Sequence, residues 1–455
     1  MSETPWKPCD LRGVFPSVVS EDLFRRAGAA IGSEIAEGSR VVVGGDFRTS
    51  TPALKSALID GLILNPLQVE DAGHAPTPVI YFHAARTRAA AVLIVTASHN
   101  PAEHNGLKWM CGEMPPSPED IDRIRALVES NAPRGMRGCV ETADPVPAYR
   151  EWITARWRRL PASRVVLDAG NGAWSELGPQ IFRTLGFKTV ELHCETDGKF
   201  PNRAPDCART ANLSALRMAV REHGGLGIAW DGDGDRVAFV DEETVHATTD
   251  EISILFARRV LGAASQAENV ACDIKLSDSV RREVISAGGI PLLERSGHAF
   301  MRARILSSNA ILGLDACGHY FFREAGFRDD GLYSALFLLA MLNGEWTLAE
   351  LRGGLPSIFS TPELRLPASL LAFLDVRDRL RSSFPGAQES EIDGTRLVLD
   401  DGVLLARESS TEPVVSLRIE GFSPGGYDRL VASCLAALPE AGTLLRRQIE
   451  EGSRA

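Results

Sequence analysis

Three β-branched apolar runs, each halted by an acidic, glycine-bearing or polar turn, constrain the fold of this chain most. They are Val41-Val42-Val43-Gly44-Gly45-Asp46, Val165-Val166-Leu167-Asp168-Ala169-Gly170 and Val270-Ala271-Cys272-Asp273-Ile274-Lys275. A helix-like period begins after each. Short apolar runs alternating with helical patterns pack as βα units around mainly parallel sheets. Their spacing, a little over a hundred residues, predicts three α/β domains of similar design, a weak repeat in which only the pattern recurs. A chain of 455 residues also exceeds one hydrophobic core, and about three or four domains are expected. Boundaries fit the polar, Pro- or Gly-bearing stretches near Asp144-Pro145-Val146-Pro147, Asp241-Glu242-Glu243 and Pro356 to Pro362. Beyond them the pattern changes. Strand-like Thr395 to Leu399 and Val414 to Ile419 flank polar loops, and a helix-like Asp428 to Leu438 follows, which predicts a small α+β domain.

Charge and composition narrow the partners. With 44% hydrophobic and 24% charged residues the chain is ordinary for a globular protein. Its formal net charge is -11 and it has no long basic block, so the electrostatic footprint of nucleic-acid or anionic-membrane binding is missing. An anionic ligand must therefore meet a local cluster of positive groups. Met1-Ser2-Glu3-Thr4-Pro5-Trp6 lacks the basic-then-apolar signature of a signal peptide, and runs such as Ala335 to Leu342 are too short to span a membrane. A cytoplasmic location is expected. The eight cysteines are scattered without a C-x-x-C, as for reduced thiols, and no zinc site is visible.

The stretch Thr96-Ala97-Ser98-His99-Asn100-Pro101, after the apolar run Ala89 to Val95, sets a serine beside a histidine. A hydrolase dyad fails on geometry, because neighbours in an extended chain point to opposite sides. The hydrolase elbow G-x-S-x-G is absent. Asp231-Gly232-Asp233-Gly234-Asp235-Arg236 is more specific. Three carboxylates at alternate positions of a tight turn between apolar runs can converge on one hard cation; a solvated acidic turn is the plain alternative, against which the mutual repulsion of the carboxylates counts. A calcium loop would use Asp231, Asp233, Asp235 and Glu242, but needs glycine where Arg236 stands and helical flanks where these are strand-like.

Arg407-Glu408-Ser409-Ser410-Thr411-Glu412-Pro413 combines a guanidinium, hydroxyls and free N–H groups, a way of holding phosphate without a Walker loop; a plain structural turn is the alternative. Arg12, Lys275 and His298 sit after strand-like runs, where ligands of open α/β sheets bind. Gly313-Leu314-Asp315-Ala316-Cys317-Gly318-His319 is a glycine-bounded turn carrying a carboxylate and an imidazole, suited to sugar hydroxyls.

Taken together, these residues resemble the α-D-phosphohexomutase superfamily, most closely its bacterial phosphomannomutase/phosphoglucomutase branch. Thr96 to Lys108 resembles its phosphoserine loop, Asp231 to Arg236 its metal loop, Gly313 to His319 its sugar loop and Arg407 to Pro413 its phosphate loop. Asp10-Leu11-Arg12-Gly13 and Phe200-Pro201-Asn202 match two further motifs, in the same order along the chain. The resemblance implies an α/β fold of four domains around a central cleft. These are an α/β domain with the phosphoserine loop (1–145), an α/β domain with the metal loop (146–243), an α/β domain with the sugar loop (244–358) and an α+β domain with the phosphate loop (359–455).

It also implies reversible phosphoryl transfer between hexose 1-phosphate and hexose 6-phosphate, with mannose or glucose as the sugar. Ser98 would carry the phosphoryl group, and one Mg²⁺ would be held by Ser98, Asp231, Asp233 and Asp235. A hexose 1,6-bisphosphate would serve as intermediate and activator. Lys108, Arg12 and His319 would serve proton transfer and charge stabilisation, and Asp315, Cys317, His319 and His298 would contact the sugar. Arg407, Ser409, Ser410, Thr411, Arg418 and Lys275 would hold the distant phosphate, with His99, Asn100 and Arg236 in support. A monomer acting on a small phosphosugar is expected.

Four positions depart from the family pattern. Asp315 and Cys317 replace the sugar loop's Glu and Ser, which shortens a carboxylate and turns a good hydroxyl into a weak thiol. His104 and Cys9 each replace a Tyr. The altered sugar contacts leave a phosphohexosamine mutase, or a phosphosugar-binding protein with impaired catalysis, as alternatives.

Overall fold

The computed structural model describes residues 4–130, 138–409 and 413–452. Its backbone divides into two compact units, residues 1–252 with 298–353 and residues 253–297 with 354–455. No helix among the described residues is long and apolar enough to cross a membrane.

The first unit holds two complete sheets. One has six strands in the order Leu11–Val14, His104–Cys111, Ala91–Val95, Arg40–Gly45, Gln68–His74, Cys139–Thr142. Its centre is parallel, with Val41 opposite both Ala91 and Val69. The edge is antiparallel, Val95 facing Leu107 and Leu11 facing Leu107 from the other side. Only residues 96–103 separate Ala91–Val95 from His104–Cys111, too few for the crossover that a parallel return needs. The serine-bearing stretch is therefore the turn of a wide hairpin. Helices Glu21–Ser33 and Thr51–Leu62 bury Phe24, Ile31, Leu54 and Leu58 against Val41, Val43, Leu93 and Val95. Ser20 caps the first helix, its hydroxyl accepting the Leu23 N–H at 3.3 Å.

The second sheet runs His246–Ala247, Val237–Val240, Leu226–Trp230, Arg164–Asp168, Lys188–Leu192. Strands Arg164–Asp168 and Leu226–Trp230 are parallel, whereas Leu226–Trp230 and Val237–Val240 form a hairpin with Trp230 opposite Val237. That hairpin's turn is Asp231 to Arg236. A third group in this unit, Leu312–Leu314, Tyr320–Phe322 and Arg328–Asp329, is antiparallel, and helix Gly331–Leu342 follows it.

In the second unit, strands Asn269–Asp273 and Ile290–Glu294 are parallel and joined by helix Asp278–Ser286. A separate antiparallel sheet orders Phe359–Ser360, Val414–Gly421, Gly402–Glu408, Thr395–Leu399, Gln388–Ser390, with Leu364–Pro367 also on Val414–Gly421. One face packs Leu397, Leu404, Ala406, Leu417 and Ile419 against helices Phe373–Ser383 and Pro424–Ala437. Each of the three apolar runs singled out in the sequence is a strand, and each is followed by a helix. The sheets are mixed rather than mainly parallel, because short connections force hairpins beside the parallel pairs.

Candidate active site

Ser98 lies in the hairpin turn after Ala91–Val95, almost fully buried, with φ 51°. This left-handed backbone overturns the extended-chain geometry expected from sequence, and His99 does not point away. Its Nδ1 comes within 3.4 Å of Ser98 Oγ. The hydroxyl is nevertheless committed elsewhere, donating to Asp231 Oδ2 at 2.7 Å. Burial, then the positive Arg236, Arg12 and Lys108, hold the His99 imidazole well below its usual range. Asn100 accepts from Arg12 Nη1 at 2.9 Å, and Asp10 takes the other guanidinium nitrogen at 2.7 Å. Arg12 and Asn100 thus lock the N-terminal strand to the serine turn.

The Asp231 to Arg236 turn presents its three carboxylates inward, all buried, with ligand atoms within 4.8 Å of one another. A side chain on Gly232 would place Cβ 2.5 Å from the Ser98 carbonyl oxygen, so the two turns approach this closely only with glycine there. Gly234, at φ 85°, passes its carbonyl to Trp174 Nε1 at 2.8 Å. Asp231 Oδ1 accepts the N–H groups of Gly234 and Arg236. Lys108, on strand His104–Cys111, donates to Asp233 Oδ2 at 2.9 Å and to Asp235 Oδ2 at 2.7 Å.

Burial pushes the Asp231 carboxyl well above its ordinary range, and Asp233 and Asp235 add to that push. Burial acts the same way on Asp233 and Asp235, but Lys108 together with Thr77 at Asp233, and with His319 and Arg236 at Asp235, holds both below the usual range. The same carboxylates raise Lys108 well above its usual range against burial. Asp233 Oδ1 and Asp235 Oδ1 are buried without hydrogen-bond partners. Three carboxylates facing one ammonium, with two orphaned oxygens, suit an oxygen-seeking divalent cation. Glu242, the twelfth position of the rejected calcium loop, instead accepts the Leu348 N–H at 2.9 Å.

His319 stands beside this turn. Arg236 Nε donates to its Nε2 at 2.8 Å, which leaves the ring proton on Nδ1, 3.0 Å from Asp329 Oδ2 and 3.6 Å from Asp235 Oδ1. Nδ1 lies beside both carboxylates without a hydrogen bond to either, and Asp235, His319 and Asp329 form a second buried group whose ligand atoms lie within 4.8 Å of one another. Burial disfavours charge on His319, yet Asp235 and its neighbours raise it above its usual range. His298 stacks on His319 at 6.0 Å, and burial lowers it to about 4. In the glycine-bounded turn Asp315 is buried and folded back, accepting the Cys317 N–H at 2.5 Å. Its carboxylate stabilises its own loop. The Cys317 thiol is half-buried.

The second unit carries the other predicted residues. Arg407 lies on strand Gly402–Glu408, paired with Ser416, and Arg418 pairs with Leu405 two positions along, so both stand on one face of the sheet. Arg407 Nη2 contacts Asp393 Oδ2 at 2.8 Å. Arg418 donates to the Lys275 carbonyl, which joins these two residues, and Ser409 N–H donates to Val414 O at 2.9 Å. Ser410 and Thr411 lie outside the described residues. The segment read as a loop is thus a strand up to Glu408.

Comparison with known proteins supplies the family. Models described as phosphoglucomutase/phosphomannomutase, alpha/beta/alpha domains I, II and III match residues 7–134, 148–244 and 248–358. The chain belongs to the phosphoglucomutase/phosphomannomutase family. It is 34% identical over 429 residues to the phosphomannomutase/phosphoglucomutase of Pseudomonas aeruginosa, covering 92% of each chain. It is 32% identical to the phosphoglucomutase of Neisseria gonorrhoeae, covering 93% of this chain and 94% of that one. A crystal structure of a phosphoglucomutase/phosphomannomutase family protein from Burkholderia thailandensis superimposes with a TM-score of 0.88 at 34% identity, covering 96% and 97% of the two chains.

Within this family member the sequence left several site residues unmarked. Asp46, Arg48, Thr77, Thr96 and Asp329 all reach the serine turn, the acidic turn or His319. Thr77 donates to Asp233 Oδ2 at 2.9 Å. The signal available was position only, since Asp46 and Thr96 follow the ends of adjacent parallel strands. His104 contributes its backbone, its carbonyl accepting from Arg48 at 3.1 Å; Cys9 is half-buried, one residue before Asp10.

Proposed function

We propose that this phosphoglucomutase/phosphomannomutase family member interconverts hexose 1-phosphate and hexose 6-phosphate through a phosphorylated Ser98. The observation that carries this reading is the Ser98 hydroxyl at 2.7 Å from Asp231 within a buried three-carboxylate turn. In the forward half-reaction the bond from Ser98 Oγ to phosphorus breaks and one from the free sugar hydroxyl forms, giving a hexose 1,6-bisphosphate. The second half-reaction returns the other phosphoryl group to Ser98. Asp231, Asp233 and Asp235 hold Mg²⁺, which when bound withdraws charge from the phosphoryl group. Lys108 and Arg12 act as fixed cations, and proton handling falls to His319, which the neighbouring carboxylates raise above its usual range. Arg407, Arg418, Lys275 and Ser409 take a phosphate. The enzyme is read as a cytoplasmic monomer, and glucose and mannose phosphates as its substrates.

One feature favours a second reading of the sugar. Asp315 spends an oxygen on its own loop, which weakens the contact that would select among hexoses and leaves glucosamine phosphates as rivals. A coupled assay across glucose, mannose and glucosamine 1-phosphates, primed with glucose 1,6-bisphosphate, tests both. Turnover is expected with glucose or mannose 1-phosphate and is lost in Ser98→Ala or on chelation of the metal. Background rates on all three substrates would reject mutase activity, and a higher kcat/KM on the amino sugar would reassign it.

A further inference from the structure

Arg48 has no place in the chemistry above, yet it is the most heavily bonded side chain near Ser98. Its guanidinium is fully buried and every N–H is used. Nη2 donates to the carbonyls of Ser98 and Asn100, both at 2.6 Å. Nη1 donates to those of Pro101 at 2.6 Å and His104 at 3.1 Å. Nε donates to Asp46 Oδ2 at 3.0 Å. One planar fork thus gathers four carbonyls from the serine turn and the first residue of the strand after it, which a lysine's three donors on a flexible stem cannot reproduce. The other side of Ser98 is fixed to the same ion pair. Its N–H donates to Thr96 Oγ1 at 2.9 Å, and the Thr96 hydroxyl donates to Asp46 Oδ2 at 2.7 Å.

Both peptide groups of a residue in the disfavoured left-handed region are therefore held by Asp46 and Arg48. A left-handed conformation is disfavoured for an L-residue other than glycine and persists only where its surroundings over-determine it. The direction in which Oγ points follows from that backbone. The carboxylate oxygen it meets sits on a different turn, so a shift of the serine turn alone would break the alignment.

We propose that Arg48, acting with Asp46 through Thr96, is a positioning residue that aims Ser98 Oγ for phosphoryl transfer. This rests on Ser98 being the phosphoryl carrier. Its signature is a slow transfer step with phosphosugar binding intact. The test compares wild type, Arg48→Lys, Thr96→Val and Thr96→Ser as full-length, Mg²⁺-loaded proteins stripped of phosphate. Each is mixed with glucose 1,6-bisphosphate, phosphorylation of Ser98 is followed by intact mass in a single turnover, and glucose 1-phosphate affinity is measured by calorimetry.

Arg48→Lys and Thr96→Val should transfer more slowly, by up to ~100-fold for Arg48→Lys, as expected of a reacting atom displaced by about 1 Å. Their glucose 1-phosphate affinity should be unchanged, and Thr96→Ser should regain the wild-type rate. Wild type that takes up no phosphoryl group would reject the phosphoserine reading itself. Wild type that does, alongside variants that transfer at its rate or lose only affinity or melting temperature, would overturn the role of Arg48. If Arg48→Lys fails to fold, the Thr96 pair decides the matter.

Discussion

Asp393 lies 2.8 Å from a guanidinium nitrogen of Arg407, so a phosphate arriving at that arginine must first displace a carboxylate. Both groups want the same short, charge-assisted donors. Asp393→Asn keeps a hydrogen-bonding oxygen and removes the competing charge. The partly exposed pair contributes on the order of 1 kcal/mol. The KM for hexose 1-phosphate should therefore fall by about 5-fold, with kcat little changed, and inhibition by inorganic phosphate should tighten in parallel. A raised KM would instead make Asp393 the group that holds Arg407 in place. At this scale the sequence was informative about residue types and silent about their partners. Lys108 could be named from the motif, but only the structure shows its two bonds to Asp233 and Asp235.

Among the elements, helix Gly331–Leu342 shows how a capping residue acquires a pH dependence. Asp330 is its N-cap, accepting the Tyr333 N–H at 2.9 Å and the Tyr149 hydroxyl at 2.7 Å. Burial raises its carboxyl to about 6 despite those bonds. The folded state thus binds this proton more tightly than the unfolded state, and stability falls as pH rises from roughly 4 to 6. The span corresponds to up to ~3 kcal/mol. Asp330→Asn, also a good cap, should remove that loss. Its melting temperature should decline less than that of wild type between roughly pH 4 and pH 6, and equal declines would count against the assignment.

The legible elements were those whose signal is local. Runs such as Val41–Val43 and the Asp231 to Arg236 turn carry their conformation in a few neighbouring residues. Asp46, Arg48 and Thr96 were not legible, because their meaning arises only when strands Arg40–Gly45 and Ala91–Val95 pair side by side. Strand Gly402–Glu408 was missed for a related reason. Its end carries the polar Arg407-Glu408-Ser409 that reads locally as a turn, while its pairing with Val414–Gly421 is what extends it. The left-handed Ser98 was hidden because no glycine marks it.

For the whole molecule, the division into two units makes the C-terminal segment a separable test of folding. Residues 364–445 contain a complete hydrophobic cluster, from Leu364 and Leu366 through Leu404 and Leu417 to Leu445, and every strand of the antiparallel sheet, from Phe359–Ser360 to Val414–Gly421, lies after residue 353. The rest of the second unit supplies hydrogen-bond partners to it and sets the Arg282 guanidinium over the Phe422 ring. Ser277 and the Asp278 N–H donate to Glu420, Asp278 accepts from Arg396, and the Lys275 carbonyl accepts from Arg418.

Cutting the chain before residue 354 removes those partners but exposes Glu420, Arg396 and Arg418 to water, which satisfies charged groups at little cost. The burial of that apolar cluster stays. A fragment of residues 354–455 should therefore fold unaided, with a single cooperative urea transition and a stability near the low end for its size, about 5 kcal/mol. A non-cooperative transition would mean that the segment around Asp278 is needed to form the sheet and not merely to neutralise one face of it.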